Sequence, residues 1–385
     1  MKSKFTYFII CLSLLSLSGC VEEYTPKDIE EIKDLLIVDG TITNGESVFK
    51  ITRSVGLQTP LYEAELIYDA EVYVESDNGD IFPGYGGDYW MRWDGTYTVQ
   101  MGELDPDRKY RLHIAVDNEI YKSSYLSPLF SPPIDSIFSE KPADEKPISI
   151  YVSTHDSQDQ TKFYKWSYEE HWEVRSELFA NAGYINDVLT MFSLNSTNNT
   201  YHCWGKDYSK KLLLGATDKI SENIISRQKI NEMSPSDEKL SVLYYISVKQ
   251  TLLRNEAYTY FHNLQKNVEL TGSIFSAIPS EMKGNIECIT SPDTYIVGYV
   301  EVSTTTEKDL YINRSKNYYE PTFDTFCFNE DNRTNETDRV TGRPPAGFSF
   351  YQYESRLSVR SRCVDCRTKD NASKDKPDFW PTSSL

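Results

Sequence analysis

Basic side chains and histidines are scarce in this chain. Its 385 residues include 40 lysines and arginines against 58 aspartates and glutamates, a formal net charge of -18, and only five histidines. Nucleic acid selects basic surfaces, so this acidity argues against a nucleic-acid partner. It also disfavours electrostatic docking to anionic lipid, because such docking needs clustered lysines and arginines.

Recognisable catalytic and metal-binding motifs are also missing. The sequence contains neither a G-x-S-x-G nucleophile elbow nor an H-E-x-x-H zinc motif. His155, Asp156 and Ser157 carry the letters of a catalytic triad, but adjacent residues cannot form its geometry. Residues 77–80 resemble the start of a calcium loop without its downstream glutamate, so a hairpin turn is the better interpretation. We therefore expect no catalytic residue, no metal and no cofactor.

No apolar run reaches the roughly 20 residues that a membrane-spanning helix needs. The chain does begin with a shorter run, FTYFIICLSLLSL at 5–17, preceded by Lys2 and Lys4. This pattern predicts a signal peptide over residues 1–19. The stretch at 17–20, LSGC, looks like a bacterial lipobox, which predicts acylation of Cys20. The alternative is an ordinary signal peptide with an incidental cysteine.

Residues 20–34 are polar and acidic, and we expect them to form a lipidated tether that lifts the folded part off the membrane. Two or more acyl chains hold a protein stably on a bilayer. Glu22 and Glu23 follow Cys20 almost directly and resemble the acidic export signal of Bacteroidetes lipoproteins. These residues predict a protein anchored in the outer membrane and facing the cell exterior.

Aromatic residues are abundant and favour β structure, with 28 Tyr, 17 Phe and 6 Trp. Short strand-like segments with period-two alternation, such as VFKITRSV at 48–55, follow one another up to Tyr125. Their spacing, with no helical period, predicts a mainly β fold that begins with a β-sandwich over 35–130. The order of the strands resembles immunoglobulin-like or transthyretin-like modules of exported bacterial proteins.

A Pro-rich linker is predicted over 131–147, because the segment from Ser127 to Pro147 holds five prolines. Beyond it we expect a larger β-rich domain over 148–380. One segment of that domain, at about 255–271, has apolar residues at helical spacing and predicts an amphipathic helix capped by Asn255.

Five cysteines remain once the signal peptide is removed and Cys20 is acylated, and they allow 15 arrangements of two disulfides and one free thiol. We expect Cys327 to pair with Cys363 or Cys366, and Cys288 with the other member. Cys203, in an aromatic strand, is then the free thiol. The competing arrangement joins Cys363 to Cys366 and requires a turn between them.

Two further segments suggest surface functions. GYGGDYWMRW at 84–93 holds four large aromatic residues, whose rings either stack on a glycan or peptide ligand or fill the sandwich core. These residues are Tyr85, Tyr89, Trp90 and Trp93. In the predicted linker, Asp135-Ser136-Ile137 resembles a Bacteroidetes O-glycosylation motif, which makes Ser136 the candidate site.

Several blocks of the sequence resemble domain-of-unknown-function family 4249, a group of Bacteroidetes outer-membrane lipoproteins. They are LIVDGTIT at 36–43, PPIDSI at 132–137, GSIFSAIPSEMKGNIECI at 272–289, CVDCR at 363–367 and KPDFW at 376–380. The resemblance implies an immunoglobulin-like module followed by a larger β-rich domain, often encoded beside a TonB-dependent transporter. It implies no activity and no catalytic residues.

These observations favour a non-enzymatic surface lipoprotein that serves as an accessory or binding component of TonB-dependent nutrient uptake. The alternative is a structural or adhesive protein of the cell envelope. A hydrolase without a recognisable motif is the third interpretation, because the separation of catalytic carboxylates is a three-dimensional quantity. The adjacent Glu169 and Glu170 are poor partners for each other, since neighbours in a strand point to opposite faces.

Overall fold

The fold is taken from a computed structural model, in which the described residues are 35–54, 65–86, 95–143, 145–194, 197–270, 283–313, 326–339 and 341–381. The described part is mainly β, as predicted, and its strands are numbered along the chain. Six residues of the predicted sites lie outside it: Cys20, Glu22, Glu23, Tyr89, Trp90 and Trp93.

Eleven strands form the first sheet. They are β1 (Leu36–Ile42), β2 (Gly45–Arg53), β3 (Glu65–Leu66), β4 (Glu71–Ser76), β5 (Ile81–Gly86), β6 (Thr96–Gly102), β7 (Tyr110–Val116), β8 (Glu119–Ser123), β18 (Ile286–Cys288), β19 (Ile296–Gly298) and β20 (Glu301–Val302). Their main order is β18-β8-β7-β4-β5-β6-β2-β1-β19, with β3 beside β2 and β20 beside β1. The pairs are antiparallel except for those of β1 with β19 and β20.

This sheet curls until its two end strands, β18 and β19, come close together. The side chain of Asn285 joins the two ends: its amide nitrogen donates to the Val300 carbonyl and its oxygen accepts from the Val300 amide, each at 2.8 Å. The curled sheet encloses one hydrophobic core. Alternation decides which side chains enter it, as in β2, where Phe49 and Ile51 are buried and Val48 is exposed.

The first unit therefore draws on more of the chain than predicted. Residues 35–130 supply β1 to β8, but β18, β19 and β20 return from 286–302, a segment assigned to the C-terminal domain. The prediction was wrong here because β1 is completed by parallel partners, and parallel strands need a long crossover. Leu36 of β1, for example, pairs with Ile296.

The second unit consists of two sheets that share a core. The three-stranded sheet contains β9 (Ile134–Glu140), β10 (Ile148–His155) and β16 (Ile224–Met233). The six-stranded sheet contains β11 (Phe163–Arg175), β14 (His202–Tyr208), β15 (Leu213–Ala216), β17 (Leu243–Leu253), β21 (Thr305–Asn313) and β25 (Ala372–Ser373). Tyr164, Trp166 and Ile150 are fully buried between them. Gly205 on β14 leaves room for the Trp172 indole, which a Cβ would meet at 2.1 Å.

The predicted Pro-rich linker is wrong over much of its length. Ile134–Glu140 is strand β9, which pairs antiparallel with β10. The prolines that suggested a linker lie outside this strand: Pro132 and Pro133 precede it, and Pro142 follows it. These prolines flank an edge strand without interrupting it, and edge strands are where sheets tolerate proline.

The predicted helix is present as α1 (Asn255–Leu270), which ends one residue before the predicted boundary; residue 271 lies outside the described part. Ala257 and Phe261 of the predicted apolar stripe are buried, and Leu264 packs against the same cluster. Their partners include Tyr299 of the first unit and Leu214 of the second. The helix therefore lies at the junction of the two units.

Two smaller sheets complete the described part: β12 (Ala182–Ile185) with β13 (Val188–Met191), and β22 (Arg333–Thr334), β23 (Phe348–Gln352) and β24 (Leu357–Arg360). Disulfides join this region to itself and to the six-stranded sheet. Cys327 bonds to Cys363, one of the two predicted partners, and Cys203 bonds to Cys366. The competing bond within 363–366 is not formed.

The predicted roles of Cys203 and Cys288 were wrong and are exchanged. Cys288 is a buried free thiol on β18, in the core of the first unit. Cys366 is brought to Cys203 by the end of the chain, because β25 pairs with β14. The Cys366 amide also donates to the Thr200 carbonyl at 2.8 Å. Further along, Trp380 is buried against Leu243 and Tyr245.

Candidate functional site

The described residues of the predicted surface sites do not come together. Tyr85 lies on β5 with 66% of its surface exposed, and the other three aromatic residues of its segment are outside the described part. Ser136 lies within β9 rather than in a linker, and its hydroxyl is 2.7 Å from that of Ser153. Ligand stacking and O-glycosylation at these positions stay predictions.

Two cavities flank the connection from β14 to β15 and share Lys210, Lys211 and Leu213 as wall residues. The first, here called the junction groove, has a volume of about 660 Å³. It lies where α1 meets both units, and its wall is mostly apolar. The apolar side chains that line it include Val38, Tyr260, Phe261, Leu264, Val297 and Tyr299.

A buried ion pair fixes the two units to each other beside this groove. Glu301 is fully buried and accepts from the guanidinium of Arg254. The Arg254 and Val302 amides donate to the same carboxylate, each at 2.9 Å. Burial raises the pKa of Glu301, and the Arg254 charge opposes that rise. Arg254 also donates to the Ser127 carbonyl, so it links β17, β20 and the chain after β8.

Further hydrogen bonds cross the same junction. The Thr305 amide donates to the Asn44 side chain at 2.8 Å, and the Leu252 amide donates to the hydroxyl of Ser303, which follows β20, at 3.0 Å. These contacts fix the elements that line the junction groove, so the groove has its shape before a ligand binds. A preformed site lowers the free-energy cost of binding.

The second cavity, here called the Glu170 cleft, has a volume of about 530 Å³ and a wall that is about half polar. Glu170 lies at its base with only 2% of its surface exposed. The Tyr244 hydroxyl donates to this carboxylate at 2.6 Å and the Asn231 amide at 3.2 Å. Lys239, from a short 3-10 turn, donates to its other oxygen and lies 4.6 Å from the Trp172 ring centroid.

The surroundings of the Glu170 cleft raise the pKa values of two tyrosines. Burial raises the pKa of Tyr168 to about 12, and the charges of Glu170 and Asp207 add to the rise. Burial also holds the pKa of Tyr244 well above its usual value, again with Glu170 contributing. For Asp207, burial is outweighed by hydrogen bonds from Lys210 and the Tyr208 amide, so its pKa is lowered. Both tyrosines therefore act as neutral hydrogen-bonding groups, and Asp207 as a carboxylate.

The outward neighbour of Glu170 has different partners. Glu169 accepts from His171 Nε2 at 2.7 Å and pairs with Lys206 at 3.0 Å. The His171 hydrogen bond, with the help of Lys206 and against the effect of burial, lowers the pKa of Glu169 to about 2. The two adjacent glutamates thus lie on opposite faces of β11, as predicted from strand alternation. No sequence signal identified Lys239, Asn231 and Tyr244 as partners of Glu170, because they come from three other elements.

In the part of the chain that the structure describes, no three His, Cys, Asp or Glu side chains gather as a metal-binding group. The same residues include no helix that is both long and apolar enough to cross a bilayer.

The fold and its cavities define a mainly β protein of two joined units with ligand-sized recesses at and beside their junction. Residues 21–309 match the family model described as domain of unknown function (DUF4249), and the chain belongs to that family. The matched range includes the first unit, α1 and most of the six-stranded sheet, and it ends within β21. The quoted blocks at 363–367 and 376–380 lie beyond it. No curated protein matches the chain.

Proposed function

We propose that this chain is a lipoprotein anchored in the outer membrane through Cys20, that it faces the cell exterior, and that it is a non-enzymatic ligand-binding component of a TonB-dependent nutrient-uptake system. Glu22 and Glu23 are its export signal in this proposal. The anchoring and the surface location are supported by the lipobox and by the acidic pair.

The junction groove is the observation that supports ligand binding. Its volume of about 660 Å³ lies within the roughly 300 to 1,000 Å³ of small-molecule pockets, which favour domain interfaces and apolar walls. Tyr260, Phe261 and Tyr299 supply aromatic surface, while Lys210 and Lys211 supply positive charge at one side. An apolar ligand that carries an acidic group matches this arrangement.

A deletion strain tests the proposal. It is complemented with the wild-type gene or with Leu264→Trp, which fills the groove, and its growth is measured on single sources of carbon, nitrogen and iron. We expect the wild type to restore use of at least one nutrient and Leu264→Trp to fail at equal membrane abundance. Ile81→Trp, at an exposed position of β5 away from the groove, is the matched control and retains full growth.

The structural or adhesive alternative predicts a different result. A deletion strain that uses every source as the parent does, but attaches poorly to surfaces or leaks periplasmic protein, contradicts nutrient capture. That result supports the structural or adhesive alternative instead.

A further inference from the structure

The Glu170 cleft combines both charge signs in equal number. Four lysines and four carboxylates line it, although the chain as a whole is strongly acidic. Lys239 pairs with Glu170 at the base, and Lys229 pairs with Glu232 at one side. The local charge is therefore balanced, which gives the cleft no net attraction for an anion or a cation.

The ion pairs that lie outside the base of the cleft contribute little to the stability of the fold. Lys210 and Asp207 pair at 2.9 Å, with the lysine side chain 76% and the aspartate side chain 20% exposed, and a pair that water reaches from one side contributes about 1 kcal/mol. They do place a charged donor beside a charged acceptor at each side of the recess. Lys211 adds a further donor, and it forms no ion pair among the described residues.

Alternating charged donors and acceptors match a ligand rich in hydroxyl groups. Each hydroxyl donates one hydrogen bond and accepts up to two, so neighbouring hydroxyls of a sugar can accept from a lysine and donate to a carboxylate at once. Hydrogen bonds to charged groups are about twice as strong as neutral ones. The half-buried ring of Tyr168 offers the apolar surface on which the C–H face of a sugar packs.

Other ligand classes match the cleft less well. An apolar ligand would strip water from the ion pairs without replacing their hydrogen bonds. A peptide would be expected to add as a strand to the free edge of β16. That strand is irregular, because its pairing with β10 on the opposite edge shifts register between Ile150 and Tyr151 and again between Val152 and Thr154. The Glu232 amide already donates to the Asn231 side chain, at 2.8 Å.

We propose that the Glu170 cleft is a binding site for a neutral saccharide, held at its mouth by Asp207 and Lys211. The inference deepens the proposed function, on which it rests for the role of binding in nutrient capture. It differs from the sequence-based glycan prediction, which concerned Tyr85 and its neighbours on the first unit.

The test uses the full lipidated chain in a detergent without sugar groups, lauryldimethylamine oxide. The protein is applied to an array of neutral and uronic-acid oligosaccharides, and each positive is titrated by calorimetry. We expect a neutral oligosaccharide to bind. Asp207→Asn or Lys211→Ala should each weaken that binding about tenfold, the effect of one charge-assisted hydrogen bond.

Matched controls lie on the same unit away from the cleft. Asp309→Asn and Lys249→Ala change the same residue types at exposed positions and should leave affinity within a factor of two. Tyr85→Ala should also leave affinity unchanged, since Tyr85 lies on the first unit.

Three outcomes overturn the inference: no neutral oligosaccharide binds, only uronic-acid probes bind, or the control variants weaken binding as much as the cleft variants. A tryptic digest of casein that competes with a bound saccharide at equal mass also overturns it in favour of a peptide site. Because the assay needs only purified protein, its failure leaves the anchor and the nutrient-uptake proposal standing, and a failed growth test leaves the binding result standing.

Discussion

At the scale of single residues, the carboxylate of Glu301 and the guanidinium of Arg254 join the two units. Removing Arg254 leaves a fully buried carboxylate without its counter-charge. Arg254→Ala should therefore lower the free energy of unfolding by about 3 to 5 kcal/mol, the usual cost of breaking a buried pair on one side. Urea titration followed by tryptophan fluorescence measures it.

A double variant separates the ion pair from packing. Arg254→Met with Glu301→Leu removes both charges at similar volume, and such replacements are often neutral or stabilising. We expect the double variant to regain most of the lost stability. If it is as unstable as Arg254→Ala, the buried unpaired charge is not the cause.

Glu169 gives a prediction about pH. Its pKa lies at about 2 in the folded protein, below its usual 4.5, so ionisation favours the folded state. That contribution is complete above about pH 5 and is lost as the pH falls toward 2. With 31% of the side chain exposed, solvent screening limits it to about 1 to 2 kcal/mol.

Glu169→Gln should accordingly cost about the same stability at pH 7 and pH 5, and progressively less at pH 4 and pH 3. Urea unfolding of both proteins at these four values provides the curve. A constant difference across the series would show that the loss is one of packing rather than of charge.

Local alternation predicted the side on which a residue lies, but not the identity of its partners. Strand periodicity placed Glu169 and Glu170 on opposite faces of β11, and the structure agrees. The partner of Cys203 was not predictable in the same way. Its burial suggested a free thiol, whereas its bond depends on where the chain end returns, 163 residues later.

At the scale of elements, the disulfides fix the end of the chain to the six-stranded sheet. The bond from Cys203 to Cys366 spans 163 residues and the bond from Cys327 to Cys363 spans 36. In the chain-entropy model these loops correspond to about 5 and about 4 kcal/mol. Cys203→Ser with Cys366→Ser should therefore destabilise the protein more than Cys327→Ser with Cys363→Ser, as measured by urea unfolding.

Peptide mapping without reduction provides the independent check of this pairing. Among the five cysteines of the described residues, Cys288 should be the one that is alkylated after unfolding under non-reducing conditions. A peptide that joins Cys288 to Cys363 or Cys366 would contradict the arrangement.

Elements with strong local patterns were predictable, and long-range pairings were not. The helix α1 followed from apolar spacing and a cap, and the turn at 77–80 from its Asn-Gly pair. Strand β9 was missed because its flanking prolines suggested a linker. The return of β18 to β20 to the first sheet was missed because no local pattern records which distant strand completes β1. The junction groove depends on that return, so it was not predictable either.

At the scale of the whole molecule, the proposed lipid anchor at Cys20 determines on which side of the membrane the two cavities would meet a ligand. Cys20→Ala should release the protein from carbonate-washed outer membranes, because no other segment is proposed to hold it there. Glu22→Ala with Glu23→Ala is the matched variant: it should stay in the membrane but escape protease shaving of intact cells. Retention of Cys20→Ala in the washed membranes would rule out the lipid anchor.

We propose that the chain is a lipoprotein that works with a TonB-dependent transporter, and isolation of the native complex tests this proposal. The lipidated protein is purified from outer membranes in mild detergent after brief crosslinking of intact cells, with Cys20→Ala as the control. We expect a TonB-dependent transporter to be crosslinked to the wild-type protein and to be absent from the control. Recovery of the wild-type protein without any such transporter, from cells in which the transporters are abundant, would rule out this partnership.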